Sequence, residues 1–279
     1  MWKCYKPEKS IQLEGFFSVF EATYDSKFCF HGETHDFWEI VFVREGNVCI
    51  STGECVFHLS KGEMIFHRPM EFHKFHIENG KSATLFIMSF SASGTGMKKF
   101  ENCVLRLLPD QNQAVSYMIS FLRDECALPD RFDFSCLNEL AKHPAKFQNF
   151  TCMVELLLLS FLKESNYINA ISDTPETIAY QNAVRFMEKQ IGEWLSVSEI
   201  AKECHVSVSY LKKVFAKYSG LGIHQYFLKA KIIYASRMLK EGKSVSEIAA
   251  KLSFSSPNYF STVFKRETGI TPLCYKNRN

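Results

Sequence analysis

Two short stretches of the sequence place small, polar and basic side chains at helical spacing, and no acidic residue occurs among them. In the first stretch, Lys212 and Lys213 follow Ser209, and in the second stretch Asn258 precedes Lys265. Lysine can donate to guanine or neutralise a phosphate, and asparagine can pair with adenine. This chemistry indicates recognition of double-stranded DNA. The candidate DNA-binding residues are Val208, Ser209, Lys212, Lys213, Pro257, Asn258, Ser261, Thr262 and Lys265.

A duplicated segment must position these residues. The hexapeptide Ser196–Ala201 returns letter for letter as Ser244–Ala249, and the aromatic frame of Tyr210–Phe215 returns as Tyr259–Phe264. In each hexapeptide a serine stands three residues before a glutamate, which is the pattern of an N-terminal capping box. Each copy therefore predicts two helices joined by a tight turn, the arrangement of a helix-turn-helix unit. A plain bundle of amphipathic helices is the alternative.

The second helix of each copy has its own start signal and a predicted buried face. Ser207 would cap the first of these helices, and Ser255 or Ser256 would cap the second. A supporting helix is predicted over 178–195 and a longer connecting helix over 224–240. The predicted inward residues of the two second helices are Tyr210, Leu211, Val214, Phe215, Tyr259, Phe260, Val263 and Phe264.

The last hundred residues resemble the AraC/XylS family of transcription regulators. The resemblance lies in the spacing of Phe254, Tyr259–Phe260, Phe264–Lys265, Thr268–Pro272 and Tyr275. It implies two helix-turn-helix units that enter consecutive major-groove segments of DNA. The chain departs from the family pattern at four positions. Turn glycines are replaced by His205 and Ser253, and arginines are replaced by Lys231 and Lys276.

The charge is unevenly distributed along the 279 residues. From residue 176 onward the chain has a net charge of +8, whereas residues 1–175 have a net charge of −5, although the whole chain is only +3. A basic C-terminal part joined to an acidic N-terminal part fits a DNA-binding domain fused to a domain that does not touch DNA. The sequence shows no apolar run of membrane-spanning length and no signal-peptide block at its start, so we expect a cytoplasmic protein.

The first ninety residues read as a succession of short strands, from Phe16–Phe20 to Thr84–Phe90, separated by turn residues. Such a pattern predicts a sandwich or barrel. Its spacing resembles that of a cupin, with a first motif of Glu33, His35, Glu39 and Gly46 and a second of Gly62, Pro69 and His73. The resemblance implies a small-molecule pocket in the barrel.

The residues carried over from the cupin motifs as effector-binding candidates are Glu33, His35, Glu39 and His73. A metal ion bound by the histidines and carboxylates is the alternative. Because Glu33 stands where a cupin has histidine, we predict hydrogen bonding to an effector, without metal or cofactor. The expected effector is a sugar or an aromatic acid. Phe37, Trp38 and Phe66 are predicted to be core residues rather than pocket residues.

The predicted fold class is α+β in two domains, with an N-terminal cupin-like β-barrel and a C-terminal all-α double helix-turn-helix. The predicted boundaries are 1–95 for the barrel, 96–165 for a helical packing or dimerisation region, 166–176 for a linker and 177–279 for the DNA-binding domain. The expected function is a DNA-binding regulator under effector control, not an enzyme. Its expected partners are double-stranded DNA, a small molecule and a second copy of the chain, with RNA polymerase as a further candidate. The alternatives are a metal-dependent cupin enzyme and a regulator whose barrel binds nothing.

Overall fold

The computed structural model describes residues 2–28, 30, 32–53, 55–77, 81–101, 103–162 and 167–277. The chain forms two compact units, one of Met1–Ile50 with Phe57–Ile171 and the other of Ser51–Val56 with Ser172–Asn279. The predicted α+β class is confirmed. The predicted domain boundaries stay predictions, and the one at 165 lies among residues 163–166, outside the described part.

Two β-sheets make up most of the first unit. The six-stranded sheet has the order β1-β7-β2-β5-β8-β9, and the three-stranded sheet has the order β4-β3-β6. The strands are β1 (Gln12–Asp25), β2 (Trp38–Glu45), β3 (Asn47–Thr52), β4 (Val56–Ser60), β5 (Glu63–His67), β6 (His73–His76), β7 (Ser82–Ser93), β8 (Val104–Arg106) and β9 (Tyr167–Ile168).

The central strand β2 divides its side chains between the two faces of the larger sheet. Ile40 and Phe42 belong to a hydrophobic core that also contains Val115 and Phe150 from the helices. Because successive side chains of a strand point to opposite faces, Glu39 faces the other side. The strand register therefore sends a buried carboxylate away from the main core.

Three α-helices pack in the described part of the first unit: α1 (Pro109–Cys126), α2 (Ser135–Ala141) and α3 (Pro144–Phe161). The helical spacing of apolar residues over 114–122 and 150–162 predicts α1 and α3, but α2 is missed because seven residues carry little periodic signal. The segment 150–162 is apolar around much of its circumference, which predicts a helix buried on more than one side. Instead, Leu156 is 71% exposed and Leu159 is 43% exposed.

The second unit contains seven helices within the described residues: α4 (Pro175–Lys189), α5 (Val197–Glu203), α6 (Val208–Tyr218), α7 (Ile223–Lys240), α8 (Val245–Lys251), α9 (Pro257–Thr268) and α10 (Pro272–Lys276). The supporting helix α4 ends six residues before the predicted Leu195. Gly192 disfavours helix there, and Ser196 must be extended to cap α5. No helix in the described part of the chain is long and apolar enough to cross a bilayer.

The two predicted capping boxes are present with nearly the same geometry. In the first, the Glu199 amide donates to Ser196 Oγ at 3.2 Å and the Ser196 amide donates to the Glu199 carboxylate at 2.7 Å. The corresponding distances between Ser244 and Glu247 are 3.2 and 2.8 Å. The duplicated sequence thus starts the first helix of both units in the same way.

The turns between the paired helices require left-handed backbone. His205 has φ of 54° and Ser253 has φ of 55°, where glycine would be free of strain. Beyond the turns, Ser207 caps α6 and Ser256, rather than Ser255, caps α9. Each copy is therefore helix, left-handed turn, capped helix, as the repeat predicts.

Candidate functional site

The exposed face of α6 carries two lysines. Ser209, Lys212 and Lys213 are exposed, while Leu211 and Phe215 are fully buried on the opposite face. Within the described residues neither lysine forms an ion pair. In contrast, Lys217 on the next turn is held by Glu176. Both ammonium groups of the pair are thus available for an anionic partner. Val208 is half-buried at the start of the helix.

The exposed face of α9 is polar and carries less charge. Pro257, Asn258, Thr262 and Lys265 are exposed, and Ser261 is half-buried. The hydroxyls of Ser261 and Thr262 donate to the carbonyls of Pro257 and Asn258 at 2.9 and 3.0 Å. Their oxygen atoms can therefore accept hydrogen bonds from a base while the helix holds their protons.

One residue of α9 differs from its predicted place. Tyr259 was expected to face inward, but it is 47% exposed and only Phe260, Val263 and Phe264 are fully buried. The Tyr259 ring lies against Phe254 with a centroid distance of 6.1 Å. A helix face of three large apolar residues already fills the contact with α7 and α8, so the aromatic ring is left at the rim.

Two lysines stand at positions where the resembled family often has arginine, and both bind backbone carbonyls at the ends of helices. Lys231 is fully buried, and its Nζ donates to the carbonyls of Ile191 and Leu252 at 2.7 and 3.0 Å. Lys276 Nζ donates to the carbonyls of Gly242 and Lys243 at 2.6 and 3.1 Å. Each ammonium group therefore satisfies two carbonyls at or beyond a helix C-terminus, where a cation is favoured.

In the first unit an aromatic pocket of about 490 Å³ opens between strands and the α1–α2 connection. Its volume is within the range of small-molecule sites. Phe17 and Phe37 stack with a centroid distance of 4.1 Å, and His35 stacks on Phe37 at 3.9 Å. Phe37, predicted to be core, instead lines the pocket, whereas Trp38 and Phe66 are buried in the core. The apolar wall is formed by Phe17, Phe20, Tyr24, Phe28, Phe30, Phe37, Phe75, Ile87, Phe132 and Phe134.

A row of polar side chains crosses the sheet at the other end of the pocket, and Ser18, Ser89 and Glu39 of this row line it. The register aligns Ser18 on β1, Ser89 on β7, Glu39 on β2 and His67 on β5. Ser18 donates to Ser89 at 2.9 Å, and Ser89 donates to the Glu39 carboxylate at 2.9 Å. These hydrogen bonds hold the Glu39 carboxylate in one orientation, and the residue is only 7% exposed.

Three of the four predicted effector-binding residues, Glu33, His35 and Glu39, line this polar end, and His73 lies directly beside them. His73 Nε2 is 3.3 Å from a Glu39 oxygen and 3.6 Å from a Glu33 oxygen, and His35 Nε2 is 3.7 Å from the other Glu39 oxygen. Glu33 and His73 form an isolated β-bridge, which brings the two cupin-like motifs side by side. Glu33 is half exposed, while Glu39 and His73 are buried.

Burial and charge oppose each other at these groups. Burial disfavours the charge of Glu39, but His35 and His73 outweigh it and hold the pKa of this carboxyl well below its usual range. Burial also disfavours the charge of His73, yet Glu33 and Glu39 raise its pKa to about 10. Burial, with the nearby His73 charge, lowers the pKa of His67.

Sequence reasoning missed most of the apolar wall. Tyr24, Phe28 and Phe75 come from separate segments, and Phe132 and Phe134 come from the connection before α2. The only signal was the high phenylalanine content, 26 residues in the chain. That count does not say which rings share a cavity.

Comparison with known proteins finds matches in two separate parts of the chain. Residues 16–94 match the AraC-like ligand binding domain, and residues 200–278 match a helix-turn-helix domain. The Msm operon regulatory protein of Streptococcus mutans is 32% identical over 142 residues, which is 50% of this chain and 48% of that protein, so the match spans about half its length. The HTH-type transcriptional activator RhaR of Yersinia pseudotuberculosis is 23% identical over 255 residues, covering 88% of this chain and 84% of that protein.

Among solved structures, unsaturated fatty acid bound wild-type ToxT from Vibrio cholerae is 14% identical, with a TM-score of 0.38. The alignment covers 95% of this chain and 96% of that protein.

Proposed function

The chain belongs to the AraC family of DNA-binding transcription regulators, and on this premise we propose that a small molecule in the aromatic pocket controls its binding to DNA. The pocket supports the proposal, because its wall suits a ring and its polar end suits a hydroxylated or charged group. The effector class we propose is a sugar or an aromatic acid. The effector-binding residues we propose are Glu33, His35, Glu39 and His73.

We assign DNA contacts to the exposed residues of α6 and α9, with Lys212 and Lys213 contributing most of the affinity. The proposal rests on the exposure of these lysines and on the absence of an ion pair to either of them within the described residues. Binding to a promoter in the cytoplasm, with RNA polymerase as a candidate partner, follows from this role. We propose no catalytic activity for the pocket.

The effector proposal is tested by a promoter footprint with and without sugars and aromatic acids, after a thermal-shift screen selects a ligand. We expect the selected ligand to raise Tm and to change the footprint. Phe17→Ala should weaken ligand binding by about 3- to 10-fold, since one stacked aromatic pair contributes about 0.5–1.5 kcal/mol. Phe17 is 43% exposed, so its removal should leave the fold intact.

Tyr117→Ala is the matched control, because Tyr117 is 64% exposed on α1 and does not line the pocket. It should leave ligand affinity unchanged. If no ligand of either class raises Tm or alters the footprint, the proposal of a sugar or aromatic-acid effector is wrong.

A second copy of the chain is the partner we propose for the exposed face of α3. Cys152, Leu156 and Leu159 follow one another at four- and three-residue spacing, so they share one face of this helix, and all three are exposed. A row of exposed apolar side chains on a helix is typical of an association surface.

Charging this face should produce monomers. The double variant Leu156→Glu, Leu159→Glu should elute at monomer size where the unaltered chain elutes as a dimer, measured by size-exclusion chromatography with light scattering. Leu273→Glu, at a 64% exposed leucine of α10, is the control and should keep the dimer. A dimer that persists in the double variant would place the interface elsewhere.

A further inference from the structure

Two imidazole nitrogens beside the polar end of the pocket have no hydrogen-bond partner within the described residues. They are His35 Nε2 and His73 Nε2, and both atoms are inaccessible to solvent. On the other side of each ring, Nδ1 lies against a backbone carbonyl, Phe37 O at 3.0 Å for His35 and Glu71 O at 3.2 Å for His73. A carbonyl only accepts, so Nδ1 must carry the proton and donate.

This arrangement fixes the tautomer of both rings. In the neutral ring Nε2 then presents a lone pair, and these lone pairs point at carboxylate oxygens, which also only accept. Two acceptors that face each other across 3.3–3.7 Å must share a cation, which is a second ring proton in the metal-free state, as the raised pKa of His73 indicates, or a metal ion in its place. Histidines that bind a metal through one nitrogen commonly donate the other N–H to a carbonyl in this way.

The distances fit a single ion. One donor atom from each of Glu33, His35, Glu39 and His73 lies within 4.8 Å of all the others. Metal bonds of about 2.0–2.1 Å in a tetrahedral site place neighbouring ligand atoms about 3.3 Å apart. Three of the separations, 3.3, 3.6 and 3.7 Å, are close to that value, and a pair as far apart as 4.8 Å would have to approach by about 1.5 Å on binding.

We propose that Glu33, His35, Glu39 and His73 bind one divalent first-row transition-metal ion at the polar end of the pocket. Imidazole with carboxylate is a ligand set suited to zinc, iron and manganese. The prediction from the sequence was that no metal binds, because Glu33 replaces a histidine. A carboxylate, however, is itself a metal ligand, and Glu33 lies where its oxygen completes the set.

The surrounding side chains hold the ligands in place. Ser89 donates to Glu39 and is itself held by Ser18. His67 stacks on His73 with a centroid distance of 4.2 Å, and its own Nδ1 is engaged by Glu71 at 3.1 Å, so it orients His73 without joining the ligand set. The ion would offset the two carboxylates, and an acidic effector could then enter the pocket without facing uncompensated negative charge.

The test uses the full chain, stripped with a chelator and titrated by calorimetry with zinc(II), iron(II) or manganese(II) alone. We expect about one equivalent of at least one metal to bind and to raise Tm. Glu39→Gln and His73→Gln should each weaken binding at least about 10-fold, and elemental analysis of the purified chain should show the same loss. Because Glu33 is half exposed, the Glu33→Gln variant should fold normally even if the variants at buried residues do not. It should weaken metal binding while the circular dichroism spectrum stays unchanged.

His58→Gln is the matched control, because His58 is exposed on β4 and lies outside the cluster. It should bind metal as the unaltered chain does. If none of the three metals binds the unaltered chain more tightly than it binds the Glu39→Gln variant, the proposal is overturned. In that case protons alone join the histidines and carboxylates. Metal binding requires no effector, so a failure of effector control would leave this result intact.

Discussion

Replacing Lys212 and Lys213 together with alanine should weaken promoter binding by about 30-fold at about 0.15 M salt. Each lysine that neutralises a phosphate releases a counterion, so the slope of log K against log salt should become about 1.8 less steep. A gel-shift or fluorescence titration over a range of salt concentrations measures both quantities. The reason lies in the structure of α6, where both ammonium groups are exposed and neither is paired within the described residues.

The matched control is the double variant Lys98→Ala, Lys99→Ala, which removes the same charge from the first unit. It should leave the salt slope unchanged. Lys265→Ala on α9 should flatten the slope by about 0.9, half the effect of the α6 pair, since it removes one charge. Equal losses from the α6 pair and the control pair would mean that only the net charge matters, and the assignment of α6 to the groove would fail.

Replacing Lys231 with methionine should lower the free energy of unfolding by about 3 kcal/mol. The variant leaves the carbonyls of Ile191 and Leu252 without their donor, and each hydrogen bond to a charged group contributes about 1.5–3 kcal/mol. Relief of the cost of burying a charge offsets part of this loss. Urea unfolding followed by circular dichroism measures the change.

Lys202→Met, at an exposed lysine of α5, is the control and should change stability by less than about 0.5 kcal/mol. The pH dependence gives a second readout. Burial lowers the pKa of Lys231 to about 8, below the value near 10.5 that the unfolded chain has. Between these values the unfolded state binds more protons, so this group makes the folded state more stable as pH rises from about 8. Lys231→Met should abolish that rise, and an unchanged pH profile would show that Lys231 is not buried as described.

The helix-turn-helix units were predictable because their signals are local. A capping box joins residues three apart, and a helix face is set by residues three or four apart, so Ser196 with Glu199 and Ser244 with Glu247 could be read directly from the sequence. Where the outcome depended on packing, the prediction was wrong. Tyr259 stays at the rim because Phe260 and Phe264 fill the space behind it, and Leu156 stays exposed because α3 buries its other side.

The sequence by itself determined a strand-rich N-terminal part and a helical C-terminal part. It also determined the duplicated helix-turn-helix unit and four polar residues at motif spacing. Only the tertiary structure decided what surrounds those four residues. The alignment of Ser18, Ser89 and Glu39 is a property of strand register, and the aromatic wall joins β1 to Phe132 and Phe134 more than a hundred residues away. Register and cavity shape arise from contacts between distant segments, which no local spacing encodes. The placement of His73 Nε2 beside the carboxylates of Glu33 and Glu39 belongs to the same class, since His73 follows both residues by more than thirty positions.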